Sequence, residues 1–255
     1  MTEEERLYQV QRIKSNQQGF GNKRFKRYQL VEAFKDVRTW IYIVWGLTAQ
    51  IANGGLGSFG SILLHKTLGY SSEGALLMGL PQGAVQIASG IITGYIATKT
   101  GKRVIVGTVS CAITLIGTCL LAFTDAPHSR LAGYYIIPFF AIGIVTILAS
   151  ITSDAAGHTK KVTAAFLVSY CIGNIIGPQT FRASDAPEYQ PARVTMVACM
   201  VVATADLFLL LIVNLRENSR RDRLQSEDPS YSVAPENVEF LDLTDFENKN
   251  FRYSS

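Results

Sequence analysis

The feature that most constrains this chain is a run from Thr39 to Leu64 that contains no charged side chain. About 20 apolar residues suffice for a helix to cross the hydrocarbon core of a bilayer, and this run is longer. Only 17% of the 255 residues are charged, whereas an average soluble domain carries about 25%. This pattern excludes an ordinary soluble domain, a nucleic-acid-binding module and a disulfide scaffold. It predicts an all-α membrane protein.

Apolar runs bounded by charged residues predict six transmembrane helices. Each run has about 20 residues or more, enough for a helix rising 1.5 Å per residue to cross roughly 30 Å of hydrocarbon. Because these runs are uninterrupted, they favour helices over the alternating pattern of barrel strands. The predicted spans are 39–64, 75–98, 104–124, 131–153, 162–181 and 194–215.

Lysine and arginine are divided unequally between the two ends of these spans. One end receives the N-terminal segment, the loops around Lys99 and Lys160, and everything after Leu215. The positive-inside rule therefore places both termini in the cytoplasm. Residues 1–38 are expected to form a cytoplasmic segment beside the membrane, and residues 216–255 a cytoplasmic tail that is largely disordered. The basic residues expected at the opposite end are Lys66, Arg130, Arg182 and Arg193.

The loop between the second and third spans reads Gly94-Tyr-Ile-Ala-Thr-Lys-Thr-Gly101-Lys102-Arg103. It resembles the signature loop of the major facilitator superfamily, G-x-x-x-D-R-x-G-R-R, with Thr98 and Lys99 in place of the Asp and Arg. Gly94 is expected to let two helices approach closely, and Gly101 to permit a tight turn. Basic residues of such a loop lie at the cytoplasmic surface, where they can latch one conformation. The candidate loop residues are Gly94, Lys99, Gly101, Lys102 and Arg103.

Carriers of this superfamily have two six-helix halves. The six spans follow a long charged segment that resembles the central loop joining such halves. The resemblance therefore implies the C-terminal half of a carrier. The expected partners are the missing N-terminal six-helix half and the lipid bilayer, with no nucleic acid.

Four further stretches are similar to the fungal allantoate permeases of the anion:cation symporter family. They are Ala156–Lys161, Tyr170–Phe181, Asp185–Ala192 and Asp242–Tyr253. This resemblance implies proton-driven uptake of a small organic anion across the plasma membrane by alternating access. Ureides, vitamin carboxylates and small peptides remain open as substrates.

Several amide and tyrosine side chains lie near the middle of the predicted spans. A polar side chain in lipid is costly, so these are expected to face the interior of the bundle, where they either line the substrate pathway or bridge helices. Glycines around Asn53 also predict a bend or local unwinding of the first span. The substrate-pathway candidates are Gln50, Asn53, Gln82, Gln86, Tyr170 and Asn174.

Three titratable residues are candidates for proton coupling. Asp206 is the only acid well inside a span, and an intramembrane carboxylate is a functional hypothesis by default. Asp154 and His158 lie at the inner ends of the fourth and fifth spans, where a histidine can titrate near neutral pH. A structural role for Asp206, and an ordinary interfacial loop for Asp154 and His158, remain open alternatives.

Glycine pairs predict helix contacts, and the histidine and cysteine spacing bears on enzyme activity. The G-x-x-x-G pairs Gly79/Gly83, Gly90/Gly94 and Gly173/Gly177 favour close helix packing over substrate contact. The histidines and cysteines show no catalytic or metal-binding spacing, so we expect no enzyme activity, no metal and no cofactor.

The alternative function is a non-transporting membrane protein, a truncated or gene-split product that serves as an interaction or regulatory subunit.

Overall fold

The computed structural model describes residues 27–68, 71–156, 159–227 and 244–254, and the regular structure in these ranges is helical. A short helix, α1, precedes a bundle of long helices. Two 3₁₀ turns, Ile137–Phe139 and Ala183–Asp185, interrupt the chain. The helices are α1 Arg27–Lys35, α2 Val37–Leu68, α3 Ser72–Thr100, α4 Arg103–Phe123, α5 Pro127–Ile136, α6 Phe140–Asp154, α7 Thr159–Gln179 and α8 Gln190–Glu227.

Each predicted span overlaps helical structure, and α8 extends twelve residues beyond the predicted end of the sixth span. The fourth span is divided into α5 and α6 by the turn at Pro138, which has no N–H to continue the helical hydrogen bonds. Five segments are long and apolar enough to cross a membrane: α3, α4, the α5–α6 unit, α7 and α8. Helix α2 is not among these five. It is long enough, with 32 residues, but the polar residues and glycines in its middle lower its mean hydropathy.

Helix α2 lies at the centre of the bundle, packed against α7 and α8. Its Trp45 is fully buried in a core that also takes Phe166 from α7, Ile147 from α6 and Leu207 from α8. These side chains are large and apolar, so their burial against one another is the main favourable term holding the helices together in one arrangement.

Helix α3 is the most exposed of the long helices. Only Ala75 and Ser89 are buried along its 29 residues. Large apolar side chains such as Leu80, Ile87 and Ile91 are each about two-thirds exposed. An extended apolar surface of this kind marks a face that contacts lipid or another protein segment.

The expected disorder of residues 216–255 is wrong for the two parts of this tail that the structure describes. Helix α8 continues without a break through Glu227, and residues 244–254 fold back against it. Buried Phe251 and Tyr253 pack with Ala156 and supply apolar contacts that a disordered tail would lack. Residues 228–243 and 1–26 lie outside the described residues.

Candidate functional site

Three amide side chains meet at mid-length between α2 and α7. The Nδ2 group of Asn53 donates to Gln50 Oε1 at 2.9 Å and to Asn174 Oδ1 at 3.3 Å. The Nδ2 group of Asn174 donates to the same Gln50 Oε1 at 3.1 Å and to the Tyr170 carbonyl at 3.0 Å. The side chains of three of the six predicted pathway residues are therefore brought together, and Tyr170 contributes only its backbone carbonyl, one turn before Asn174 on α7. We call Gln50, Asn53 and Asn174 the amide cluster.

The three residues of the amide cluster differ in how deeply they are buried. Gln50 is fully buried, and its Nε2 group has no hydrogen-bond partner among the described residues. Asn53 and Asn174 are half-buried. An unmet donor in a low-dielectric interior costs about 1–3 kcal/mol. All three side chains are amides, so the cluster is uncharged. The Nε2 group of Gln50 is its one buried donor without a hydrogen bond among the described residues.

Glycines allow α2 and α7 to approach closely at this point. A Cβ atom at Gly173 would lie 2.8 Å from the Cβ of Gln50, and one at Gly177 would lie 2.6 Å from the Gly55 nitrogen. On the facing helix, a Cβ atom at Gly54 would lie 2.8 Å from the Asn174 carbonyl oxygen. The packing role of the Gly173/Gly177 pair is confirmed. The sequence predicts a bend or a local unwinding of α2. Helix α2 is helical throughout, so the unwinding is wrong, and Gly54 and Gly55 serve the contact with α7.

The other two pathway candidates lie on α3, away from the amide cluster. Gln82 is half-buried, and its Nε2 group donates to the Tyr134 carbonyl at 3.5 Å. Gln86 is exposed on the outer side of the helix. These two glutamines are not joined to Gln50, Asn53 and Asn174 by any hydrogen bond found among the described residues.

The signature loop forms the turn between α3 and α4. Gly101 has a φ of +70° and closes α3 through a hydrogen bond from its N–H to the Ala97 carbonyl. This left-handed conformation favours glycine, as expected for a helix C-cap. The Lys99 ammonium lies 5.8 Å from the Tyr95 ring, and Lys102 and Arg103 begin α4.

Gly94 does not allow a close approach between helices of this chain. A Cβ atom there would meet nothing within 4 Å, and the same holds at Gly83 and Gly90. Gly79 faces only the Tyr134 hydroxyl, 3.9 Å away from such an atom. The packing expected at Gly79/Gly83 and Gly90/Gly94 is therefore not met inside the described chain. Gly83, Gly90 and Gly94 are exposed, and we call the face of α3 that carries them its open side.

The three proton-coupling candidates have different positions. Asp154 is buried at the end of α6, where its carboxylate accepts hydrogen bonds from the N–H and Oγ of Ser254, at 3.1 and 2.6 Å. Asp206 is half-buried on α8, and its Oδ2 atom has no hydrogen-bond partner in the described part of the chain. His158 lies outside the described residues. Among the described residues, no hydrogen bond joins Asp154 to Asp206.

Two polar networks were not predicted from the sequence. Arg130 and Arg193 are both buried at the bundle end opposite Asp154, and both pair with Glu188, at 3.5 and 2.9 Å. At the other end, Arg38 and Asn214 are buried and hydrogen-bonded to each other at 2.9 Å. The one available signal was Asn214, an amide inside the otherwise apolar end of the last span.

The site chemistry is that of neutral hydrogen bonding. Amide groups offer both donors and acceptors, so the cluster can bind polar groups of either kind without a charge of its own. In the ranges that the structure describes, no group of three or more His, Cys, Asp or Glu residues is placed to hold a metal ion.

Comparison with known proteins identifies the family. The sequence profile of the Major Facilitator Superfamily matches residues 6–178. The chain belongs to the major facilitator superfamily. The predicted fold, an all-α membrane protein that forms the six-helix C-terminal half of such a carrier, is confirmed, and so is its resemblance to the allantoate permeases.

Individual members of the superfamily match the chain along its whole length. An uncharacterized transporter of Schizosaccharomyces pombe is 46% identical over 256 positions, which cover 100% of this chain and 50% of the relative. The allantoate permease of Saccharomyces cerevisiae is 45% identical over 265 positions, covering 100% of this chain and 49% of the permease. A thiamine pathway transporter of the same yeast is 30% identical, covering 99% and 48%. The chain thus spans about half the length of the curated relatives it matches.

Proposed function

We propose that this chain is the C-terminal half of a permease that moves a small organic anion together with protons by alternating access. The observation that carries this proposal is the 45% identity to the allantoate permease over the full length of the chain. The aligned region includes both helices of the amide cluster. The thiamine pathway transporter, at 30%, supports only the coarser assignment to transport.

The amide cluster is proposed as part of the substrate pathway. Allantoate is a carboxylate with two ureido groups, and its hydrogen-bonding groups match those of asparagine and glutamine. The unused Nε2 donor of Gln50, together with the half-buried faces of Asn53 and Asn174, would supply the contacts. A neutral site binds such an anion through dipoles and avoids the desolvation cost of a buried cation.

The second half of the carrier is proposed to pack against the open side of α3. That side carries Gly83, Gly90 and Gly94 with free space beside them, and the exposed apolar residues Leu80, Ile87 and Ile91. Small residues that allow backbones to approach closely are typical of helix interfaces in membranes. Gln82 and Gln86 lie on the same helix and would then border the cavity between the halves.

We propose that the bundle end carrying Asp154, the signature loop and the C-terminal tail faces the cytoplasm of a cell whose plasma membrane holds the carrier. This end carries Lys99, Lys102 and Arg103 of the loop, and the C-terminal third of α8 adds four arginines, Arg216, Arg220, Arg221 and Arg223. Basic residues favour the cytoplasmic side.

Asp206 is the residue we propose for proton coupling. It is the one acid within the predicted span 194–215, and its Oδ2 atom is buried with no hydrogen bond among the described residues. Asp154, by contrast, is engaged with Ser254. A carboxylate that is not committed to a structural partner is free to exchange its proton during a transport cycle.

The test is uptake of labelled allantoate by yeast cells that lack their own allantoate permease and express the reading frame containing this chain. We expect uptake above the empty-vector level, faster at acidic external pH and abolished by a protonophore. The Asp206→Asn variant should lose the pH response while reaching the surface normally. Absence of uptake despite normal surface expression would contradict the proposal that allantoate is the substrate. Uptake that is insensitive to the protonophore would contradict proton coupling.

A further inference from the structure

The C-terminal segment, residues 244–254, forms a turn that is stabilised from within. The Thr244 N–H donates to Glu247 Oε2 at 2.9 Å, and the Glu247 N–H donates to Thr244 Oγ1 at 3.3 Å. The Asn248 N–H then donates to the Thr244 carbonyl at 3.0 Å. This reciprocal pairing is the capping-box arrangement, which pre-organises the segment before it meets the bundle.

Arg221 of α8 binds the backbone of this segment. Its Nη1 group donates to the carbonyls of Asn248 and Phe251, at 3.1 and 3.0 Å. Its Nη2 group donates to the Asp245 carbonyl at 3.0 Å and to the Tyr253 hydroxyl at 3.1 Å. Arg221 is only 4% exposed. Its Nε group donates to Glu217 on the same helix at 2.8 Å. A buried guanidinium must have its donors satisfied, so the segment supplies the partners that the two Nη groups require.

Tyr253 occupies a slot between two arginines. Its ring centroid lies 3.5 Å from the Arg38 guanidinium carbon and 4.9 Å from that of Arg221. Asn218 on α8 bonds both backbone groups of Tyr253, each at 2.9 Å. The Tyr253 hydroxyl donates to Asp245 Oδ2 at 2.6 Å. Cation–π contacts of a desolvated arginine contribute favourably to such a site.

Ser254 ties the segment to a second helix. Its N–H and hydroxyl both donate to the Asp154 carboxylate at the end of α6, and its carbonyl accepts from Asn214 Nδ2 at 2.9 Å. Arg38, at the start of α2, donates through Nε to Asn214 Oδ1 at 2.9 Å. The one short segment therefore reaches the ends of α2, α6 and α8.

We propose that residues 244–254 are an intramolecular peptide ligand, and that the groove formed by Arg38, Asp154, Asn214, Asn218 and Arg221 is its docking site. Docking fixes the adjacent ends of α2, α6 and α8 in one arrangement and acts as a latch at this end of the bundle. The interface is largely polar, with a small apolar cluster around Phe251 and Tyr253. Polar interfaces of this kind are typical of contacts that form and separate.

The latch also borders the signature loop. A cavity of about 430 Å³ is lined by Gly101 and Arg103 from the loop and by Asp154, Tyr253 and Ser254 from the latch. Release of the segment would open this cavity and free the α6 end beside the loop between α3 and α4.

Limited trypsin digestion of the purified full chain tests the proposal, because Lys249 and Arg252 lie within the segment. We expect slow cleavage at both sites in the wild type and at least tenfold faster cleavage in Arg221→Gln. The matched control is Arg223→Gln on the same helix, whose side chain is 71% exposed and pairs only weakly with Glu227, at 3.7 Å. The control should cleave at the wild-type rate. Equal cleavage rates in the wild type and Arg221→Gln would overturn the docking site.

A second pair of variants keeps the test valid if Arg221→Gln does not fold. Ser254→Glu places a negative charge against Asp154 and should release the segment, whereas Ser254→Ala removes one hydrogen bond and should have a smaller effect. Hydrogen exchange at the last turn of α6 and the first turn of α2 should rise at least several-fold in Ser254→Glu. Unchanged exchange there, with the segment released, would overturn the latch. None of these readouts depends on transport, so they succeed or fail independently of the proposed function.

Discussion

The amide cluster and the latch are both polar networks, but they are built differently. The amide cluster lies at mid-length between α2 and α7 and contains only neutral side chains. Its side chains meet because glycines on both helices let α2 and α7 approach closely. The latch lies at the bundle end and combines buried arginines, carboxylates and the end of the chain. In the low-dielectric middle a neutral amide is cheaper to bury than a charge, whereas charges are tolerated at an end where every group can be paired. Position along the helix thus decides which polar chemistry the fold can keep.

The largest expected effect comes from the helix contact beneath the amide cluster. Gly177→Ala forces a Cβ atom against the backbone of α2, since the Gly55 nitrogen would lie 2.6 Å from it. We expect a destabilisation of about 1–3 kcal/mol, typical of overpacking, measured as a lower midpoint of thermal unfolding in detergent. The matched control is Gly83→Ala on α3, where nothing lies within 4 Å. In the purified chain, where no second half packs against α3, the control should be neutral or slightly stabilising, because alanine favours helix by roughly 1 kcal/mol over glycine. Equal effects of the two changes would show that the close approach at Gly177 has no special role.

Asp154→Ala tests the latch in the same assay. The change removes the acceptor for the N–H and hydroxyl of Ser254. Unpaired donors at a partly buried site cost about 1–3 kcal/mol in total, and part of this is recovered as the segment detaches into water. We therefore expect a smaller fall in the thermal midpoint than for Gly177→Ala, together with faster trypsin cleavage after Arg252. A lowered midpoint without faster cleavage would assign Asp154 to bundle stability alone.

The latch is also expected to depend on pH. Burial raises the pKa of Asp245 to about 7, with the neighbouring Asp36 carboxylate also raising it, while the Tyr253 hydroxyl and Arg38 lower it. Burial likewise raises the pKa of Asp36. Docked Asp245 therefore holds its proton more tightly than it would in the free segment. Docking is favoured at acidic pH and weakens as the pH rises through about 7.

This dependence is measured as the ratio of trypsin cleavage rates in the wild type and in Asp245→Asn, compared at each pH so that the protease's own pH response cancels. We expect the ratio to rise several-fold between pH about 6 and about 8. A constant ratio would show that Asp245 does not titrate in the docked segment.

The helices and the inward orientation of the amides were predictable because their signals are local. An uncharged run long enough to span a membrane predicts a helix, and a lone amide such as Asn53 or Asn174 within it must face a partner. That Gln50 would join them, and Gln82 would not, depends on which helices are neighbours, and no single sequence shows this.

The latch could not be predicted because its contacts join distant parts of the chain. Arg221 and Asp245 lie in a charged, polar region whose composition is typical of disorder. Only the pairing of that region with Arg38 and Asp154 makes it ordered. The glycines of α3 gave the opposite error. Their spacing predicts packing, but no atom of the described residues lies within 4 Å of a Cβ built at Gly83, Gly90 or Gly94.

The most direct test of the account is uptake of labelled allantoate by the intact carrier with alanine at the amide cluster. We predict that Asn53→Ala and Asn174→Ala each lower uptake at least tenfold with normal surface expression, whereas Arg223→Gln leaves it unchanged. Unchanged uptake in both asparagine variants would contradict a role for the amide cluster in the substrate pathway and leave it as a bridge between α2 and α7.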